Sequence, residues 1–161
     1  MKDVKKETAK LLAGATDNIA KLVASSAFEM WKRKDFRLYV DFNNIDTVEQ
    51  DRMFNELQVS VLGLFILHFE SALTDATDER KMVLEALKKD LVPAFLALLS
   101  ESGVESRYIK EWKYLIDLRL KEYRTDLRMA MEEVGEMEEF KKDEHLKIVW
   151  CRLQTLSLIH I

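Results

Sequence analysis

The chain contains very little that can stop a helix. Four glycines and one proline occur in 161 residues, and these are the two residue types most costly inside a helix. Their scarcity points to an all-α architecture. One cysteine, Cys151, excludes an intrachain disulfide and suits a reducing compartment. No apolar run is long enough to span a bilayer. The most apolar stretch, Val59–Leu67, is broken only by Ser60 and Gly63, yet it falls well below the roughly 18–20 residues a crossing needs. The N-terminal MKDVKKETAKLLAGATDNIAKLVASSA does not read as a signal peptide, because Asp17 and Lys21 interrupt any apolar core. There is no glycine-rich phosphate loop, no internal repeat and no low-complexity segment. These absences predict a soluble cytoplasmic protein without membrane contact.

The residues present describe an ordinary globule. Apolar residues make up 48% and charged residues 34%, which excludes a disordered chain. A chain of this length can bury about 68–70% of its unfolded surface and needs no metal or disulfide staple. One domain over residues 1–155 is expected. The net charge of −4 is uneven. Residues 1–37 carry nine Lys/Arg against five Asp/Glu, residues 38–79 one against nine, and residues 80–161 fifteen of each. The acidic middle argues against a nucleic-acid surface, and the basic start reads as a solvated face.

The last six residues, Leu156–Ile161, read LSLIHI. They match one reading frame of the transposase adapter used to make sequencing libraries, as in a metagenomic fragment. They are read as adapter read-through, with native sequence ending near Thr155 and His160 set aside. The competing reading is an apolar helix end, since Leu153, Leu156 and His160 continue a three-to-four spacing.

Periodicity divides the chain into helices. The first is expected from about Val4 to Lys34, with Leu12, Ala15, Ile19, Leu22 or Val23, Ser26 and Met30 on one face. Its small residues Ala20, Ala24, Ser25 and Ala27 permit close approach of another helix. The period then changes to two: Phe36, Leu38, Val40 and Phe42 alternate with Arg37, Tyr39 and Asp41. This predicts an extended crossover over about residues 36–45, or else an edge that pairs with another chain.

Asn43-Asn44-Ile45-Asp46 is turn-like. Asp46 with Glu49, or Thr47 with Gln50, resembles a capping box opening a second helix. Val48, Met53 and Phe54 are expected inward, and Val59–Leu73 is apolar nearly all round, as in a central helix. Gly63 in its middle implies a close crossing. A third helix carries Leu84, Leu87, Leu91, Phe95 and Leu98, is kinked by Pro93 near Lys89 or Asp90, and ends on Ser102-Gly103-Val104. A fourth carries Ile109, Trp112, Ile116, Leu120, Tyr123, Leu127, Ala130 and Val134, a near-heptad spacing that favours small crossing angles. Asp117–Lys121 and Arg128–Glu132 stand at ion-pair spacing on its outer faces. Gly135 marks a break, and Leu146, Val149 and Leu153 form a fifth stripe. The sum is a four- or five-helix bundle with one extended crossover.

No motif for chemistry rises above background. His68, beside Leu67 and Phe69 in the apolar half of the second helix, is the first candidate. It is read either as a proton-handling or ligand-contacting group, or as a satisfied core histidine or one at the buried margin. Glu49 and Glu56, seven apart and on one face, are the carboxylates that could join it. A di-metal bundle needs Glu-x-x-His on two helices. Phe65, Lys142 and Ser157 stand where those glutamates would be. Asp46, Glu49, Asp51 and Glu56 lack a second carboxylate helix to complete a Mg²⁺ site.

Glu133-x-x-Glu136-x-x-Glu139 resembles the Glu-x-x-Glu of all-α pyrophosphohydrolases, but the downstream Glu-x-x-Asp is missing and the run reads as solvated charge. His145, between Lys142 and Lys147, has no nearby glycine of the kind phosphotransfer bundles use. The aromatics Trp31, Trp112, Trp150, Tyr39, Tyr108, Tyr114 and Tyr123 read as core with polar ends at its edge. Cys151 reads as a core filler. No cofactor and no metal are therefore expected. The function expected is a non-enzymatic module that binds a protein partner or self-associates into a homo-oligomer, without nucleic acid. The alternative is a small-molecule or metal-dependent bundle enzyme built on His68 with Glu49 and Glu56.

Overall fold

The computed structural model describes the backbone of residues 2–135 and the side chains of residues 6–133. Among the described residues five helices occur in order: α1 (Lys2–Lys32), α2 (Lys34–Tyr39), α3 (Thr47–Ala72), α4 (Asp78–Glu101) and α5 (Ser106–Gly135), with a 3₁₀ turn at Phe42–Asn44. No strand occurs among the described residues. Four long helices form an all-α bundle, as the sequence predicts. The fifth stripe at Leu146, Val149 and Leu153, together with His145, Trp150, Cys151 and Leu156–Ile161, lies outside the described residues.

The central helix is α3, which packs against α1, α4 and α5. Phe28 and Trp31, near the end of α1, meet Phe54 near the start of α3 at ring separations of 6.5 and 5.4 Å, so these two helices are antiparallel. A short connection turns α3 into α4, which runs back beside it. Along α3 and α5 the contacts ascend together: Glu56 with Arg119, Ser60 with Tyr123, Glu70 with Arg124. These two helices are therefore parallel. Val23, Val59, Leu62, Leu91, Phe95 and Ile116 are the largest fully enclosed side chains, and all four long helices contribute to them.

Local signals account for several boundaries. The Asp46 side chain accepts a hydrogen bond from the Glu49 backbone N–H at 2.8 Å, so Asp46 is the N-cap of α3. Glu49 does not complete the capping box but turns to Arg52 at 2.5 Å. At the end of α4, Gly103 has φ of +97°. Its N–H reaches Ser100 O at 3.1 Å, and that of Val104 reaches Leu99 O at 3.0 Å, a Schellman stop. α4 continues through Pro93, which lies on the exposed face, where water can satisfy the carbonyl it leaves unpaired.

The expected extended crossover is not formed. Residues Lys34–Tyr39 are helical instead. Phe36, Val40 and Phe42 are the half-buried members of the alternating set, and Leu38 is 67% exposed. A spacing of four suits a helix face as well as a strand face, so the alternation does not discriminate. Trp31 closes over the segment from α1, with ring centroids 6.0 Å from Phe36 and 5.1 Å from Phe42. Arg37 stacks on Phe42 at 3.8 Å. Asp41 then adopts φ of +52°, a left-handed conformation its short polar side chain tolerates, and accepts a hydrogen bond from the Asn44 amide at 2.8 Å.

The buried face of α1 overlaps the expected one: Val23 is enclosed, Leu12, Ile19 and Ser26 are half-buried, and Ala20 and Ala27 lie where small residues were expected to admit another helix. Thr16, Ala20, Val23 and Ala27 are enclosed, whereas Ala15 and Met30 face outward. Small residues win because they bring the backbone of α1 close to its neighbours. Val48 is 79% exposed rather than inward.

Candidate functional site

The three candidates from sequence do not converge. His68 is exposed, not enclosed in the apolar half of α3. Leu67 and Phe69, its buried sequence neighbours, each point about 100° away from it round the helix. Glu56 lies twelve residues earlier on α3, about 18 Å along the axis and roughly 120° round it. Glu56 and Glu49 do share a face, but each carboxylate is bonded to its own arginine. Among the described residues, no three His, Cys, Asp or Glu side chains gather as metal ligands. No described helix is long and apolar enough to cross a membrane.

Glu56 belongs to a polar seam between α3 and α5. Its carboxylate, 9% exposed, accepts from Arg119 Nε at 2.9 Å and from the second guanidinium nitrogen at 2.5 Å. The third nitrogen of Arg119 reaches Glu122 at 2.7 Å. The bonds from Glu56, then Glu122, raise the Arg119 pKa and hold it charged. One turn on, the Ser60 hydroxyl donates to the Glu56 carbonyl at 2.7 Å and lies 3.2 Å from the Tyr123 hydroxyl. Burial pushes the Tyr123 phenol up, and the Ser60 hydrogen bond opposes it.

Next along the same face is Gly63, where an added Cβ would lie 2.7 Å from Tyr123 Cδ2. Glu56, Ser60 and Gly63 stand at i, i+4 and i+7, and Arg119 and Tyr123 at i and i+4. The seam therefore follows from helix geometry. Every carboxylate and hydroxyl in it is satisfied. It sets the register of α5 on α3 and leaves no group free for catalysis. The expected pairs Asp117–Lys121 and Arg128–Glu132 do not close among the described residues; α5 pairs through Arg107–Glu105, Arg119–Glu56, Arg119–Glu122 and Arg124–Glu70 instead.

A second polar position on α3 behaves differently. Gln58 is 6% exposed, and its side chain forms no hydrogen bond among the described residues. A buried carboxamide left unpaired costs about 1–3 kcal/mol. Gln58 lines an open groove of about 560 Å³ between α1, α3, the end of α4 and the start of α5. Phe54, Leu98, Leu99, Val104 and Trp112 give it an apolar floor, and Lys21, Ser25, Asn55 and Ser102 a polar rim. Trp112 is held from beneath by Phe95, its ring centroid 6.1 Å away.

The groove adjoins a second of about 380 Å³, lined by Asn55, Val104, Tyr108, Glu111, Trp112 and Leu115. Asn55, Val104 and Trp112 border both. Sequence reasoning placed Trp112 in the stripe of α5 but missed Gln58 and the groove. The available signal was a glutamine at the threshold of the apolar half of α3, two residues from the buried Glu56 and Ser60.

Of the two features that suggested self-association from sequence, the alternating segment leaves Leu38 and Tyr39 exposed, and the α5 stripe is turned inward. The alternating segment is helical under Trp31, and the α5 stripe buries Ile116, Leu120 and Tyr123 inside the bundle. No family model, curated protein or solved structure matches this chain.

Proposed function

We propose that the chain is a non-enzymatic, cytoplasmic interaction module that docks a segment of a partner protein in the paired grooves around Trp112. The observation that carries this reading is Gln58, a buried polar side chain without a partner among the described residues, on the wall of an open, apolar-floored cleft. Folding leaves its hydrogen-bonding capacity unused, and a docked polar group would use it. The cleft volumes fall in the range of ligand sites. The lone cysteine suits a reducing compartment. His68 lies too far along α3 from Glu49 and Glu56 to act with them on one substrate, which gives the enzyme reading no support.

The test is selection of short random peptides displayed on phage against the full chain, with Ser25→Trp as the control. Ser25 is exposed and on the groove rim, so the indole obstructs the cleft without disturbing the core. Enriched peptides that bind the wild type and lose Ser25→Trp support the reading. Enriched peptides indifferent to the substitution, or no enrichment, contradict it.

A further inference from the structure

The paired grooves have opposite charges at their two ends. Lys21 stands on the α1 side of the larger groove and Glu111 in the smaller one on α5. Neither makes an ion pair among the described residues, whereas Glu56, Glu70, Arg119 and Arg124 on the neighbouring seam are all paired. Between the two charges lie the features both grooves share, the indole of Trp112 with Val104 and Asn55. Gln58, buried and unpartnered, faces the Lys21 side. A carboxamide offers one carbonyl acceptor and two N–H donors. A peptide group offers the complement, one N–H and one C=O. A ligand spanning both compartments is better matched by a chain than by a compact molecule, because the two are joined only along Trp112, Val104 and Asn55.

We propose that the grooves recognise a partner segment carrying an acidic residue, then an apolar side chain, then a basic residue. The acid meets Lys21, the apolar side chain packs on Trp112, the base meets Glu111, and Gln58 bonds the segment's backbone beside the acid. Charge at the rim sets orientation and discriminates against wrong partners more than it adds affinity. A uniformly basic segment meets Lys21 and is disfavoured, and a uniformly acidic one meets Glu111. The chain direction of the partner is left to the selection, since the charge order is read by side chains. This inference rests on the peptide-docking reading above.

Selection of random displayed peptides on wild type, Lys21→Glu and Glu111→Lys tests it. Both substituted residues are exposed, so the variants keep the fold. Wild type is expected to enrich peptides with acid and base flanking an apolar residue. Lys21→Glu is expected to enrich a base in place of the acid, and Glu111→Lys an acid in place of the base. A wild-type peptide synthesised alone should lose about threefold to tenfold in affinity on each charge reversal and recover it when its own charge is swapped.

Peptides that are lost with Ser25→Trp but show no charge preference overturn this inference while leaving the docking reading intact. Peptides insensitive to Ser25→Trp overturn both. A dimer in sedimentation that Ser25→Trp dissolves would place a second copy in the groove and overturn the inference. Binding there of a synthetic peptide of residues 140–155 would do the same in favour of the chain's own segment.

Discussion

Substituting Gly63 by alanine should destabilise the bundle, although alanine is the better helix former. In an open helix the exchange gains about 1 kcal/mol. Here the new Cβ would lie 2.7 Å from Tyr123 Cδ2 and 2.8 Å from Cε2, inside van der Waals contact for carbon. The ring cannot swing away freely, because Tyr123 is buried and its hydroxyl lies 3.2 Å from Ser60. Overpacking of this kind costs about 1–3 kcal/mol, which outweighs the propensity gain. The expected net loss is about 1 kcal/mol, read as a lower urea midpoint at unchanged slope.

Tyr123→Val removes both clashing atoms. The next nearest atom to the added Cβ is Leu120 Cδ2 at 3.8 Å, an ordinary contact. In the Tyr123→Val background, Gly63→Ala should therefore become stabilising by up to about 1 kcal/mol. The coupling in the double-mutant cycle is expected at about 1–3 kcal/mol. A Gly63→Ala variant that is more stable than wild type, or a coupling near zero, would refute the close crossing of α3 and α5.

Arg119→Met should cost about 3 kcal/mol, because it strands the nearly enclosed Glu56 carboxylate. Glu56→Gln should cost only about 1 kcal/mol, because Arg119 keeps Glu122 and partial access to water; chemical denaturation giving equal losses would contradict the asymmetry. The Tyr123 phenol, raised above its ordinary value of 10.0 by burial, retains its proton longer in the folded than in the unfolded chain. The associated stability is complete below about pH 10 and declines as pH rises through the folded pKa. Tyr123→Phe should flatten this alkaline decline in thermal melts, and an unchanged slope would be the contrary result. Gln58→Leu should stabilise the fold by about 1 kcal/mol, since it replaces an unpaired buried carboxamide with an apolar group of similar size, while weakening peptide capture; lower stability in urea would show that Gln58 is already satisfied.

How much of this was legible depended on whether a signal was local. The stripe on α5 from Ile109 to Ala130 repeats over many turns, so period alone turns it inward. Gly63 in an apolar helix and Ser102-Gly103-Val104 at a helix end each carry a steric meaning that survives without coordinates. The segment at Phe36–Phe42 was too short for that. Phe36 and Val40 satisfy both periods, and Trp31, outside the alternation pattern, packs on Phe36 and Phe42.

His68 misled because apolar neighbours in sequence are not neighbours on a helix face. On α1 the choice between Leu22 and Val23 was open in the sequence, and the structure encloses Val23 with Ala20 and Ala27 while Leu22 stays exposed. The grooves depend on four helices meeting, with Lys21, Gln58, Leu98 and Trp112 drawn from one helix each. No one-dimensional pattern contains that meeting, and Gln58 becomes informative only once its partners can be counted.

The most direct measurement is the side-chain amide resonance of Gln58, followed by ¹⁵N NMR as a peptide selected on the wild type is titrated into the full chain. A docked partner segment requires the Gln58 carboxamide and the Trp112 indole N–H to shift together and saturate, with no such shift in Ser25→Trp. Saturable binding of the peptide that leaves both resonances in place would contradict the claim that this groove is where the protein acts.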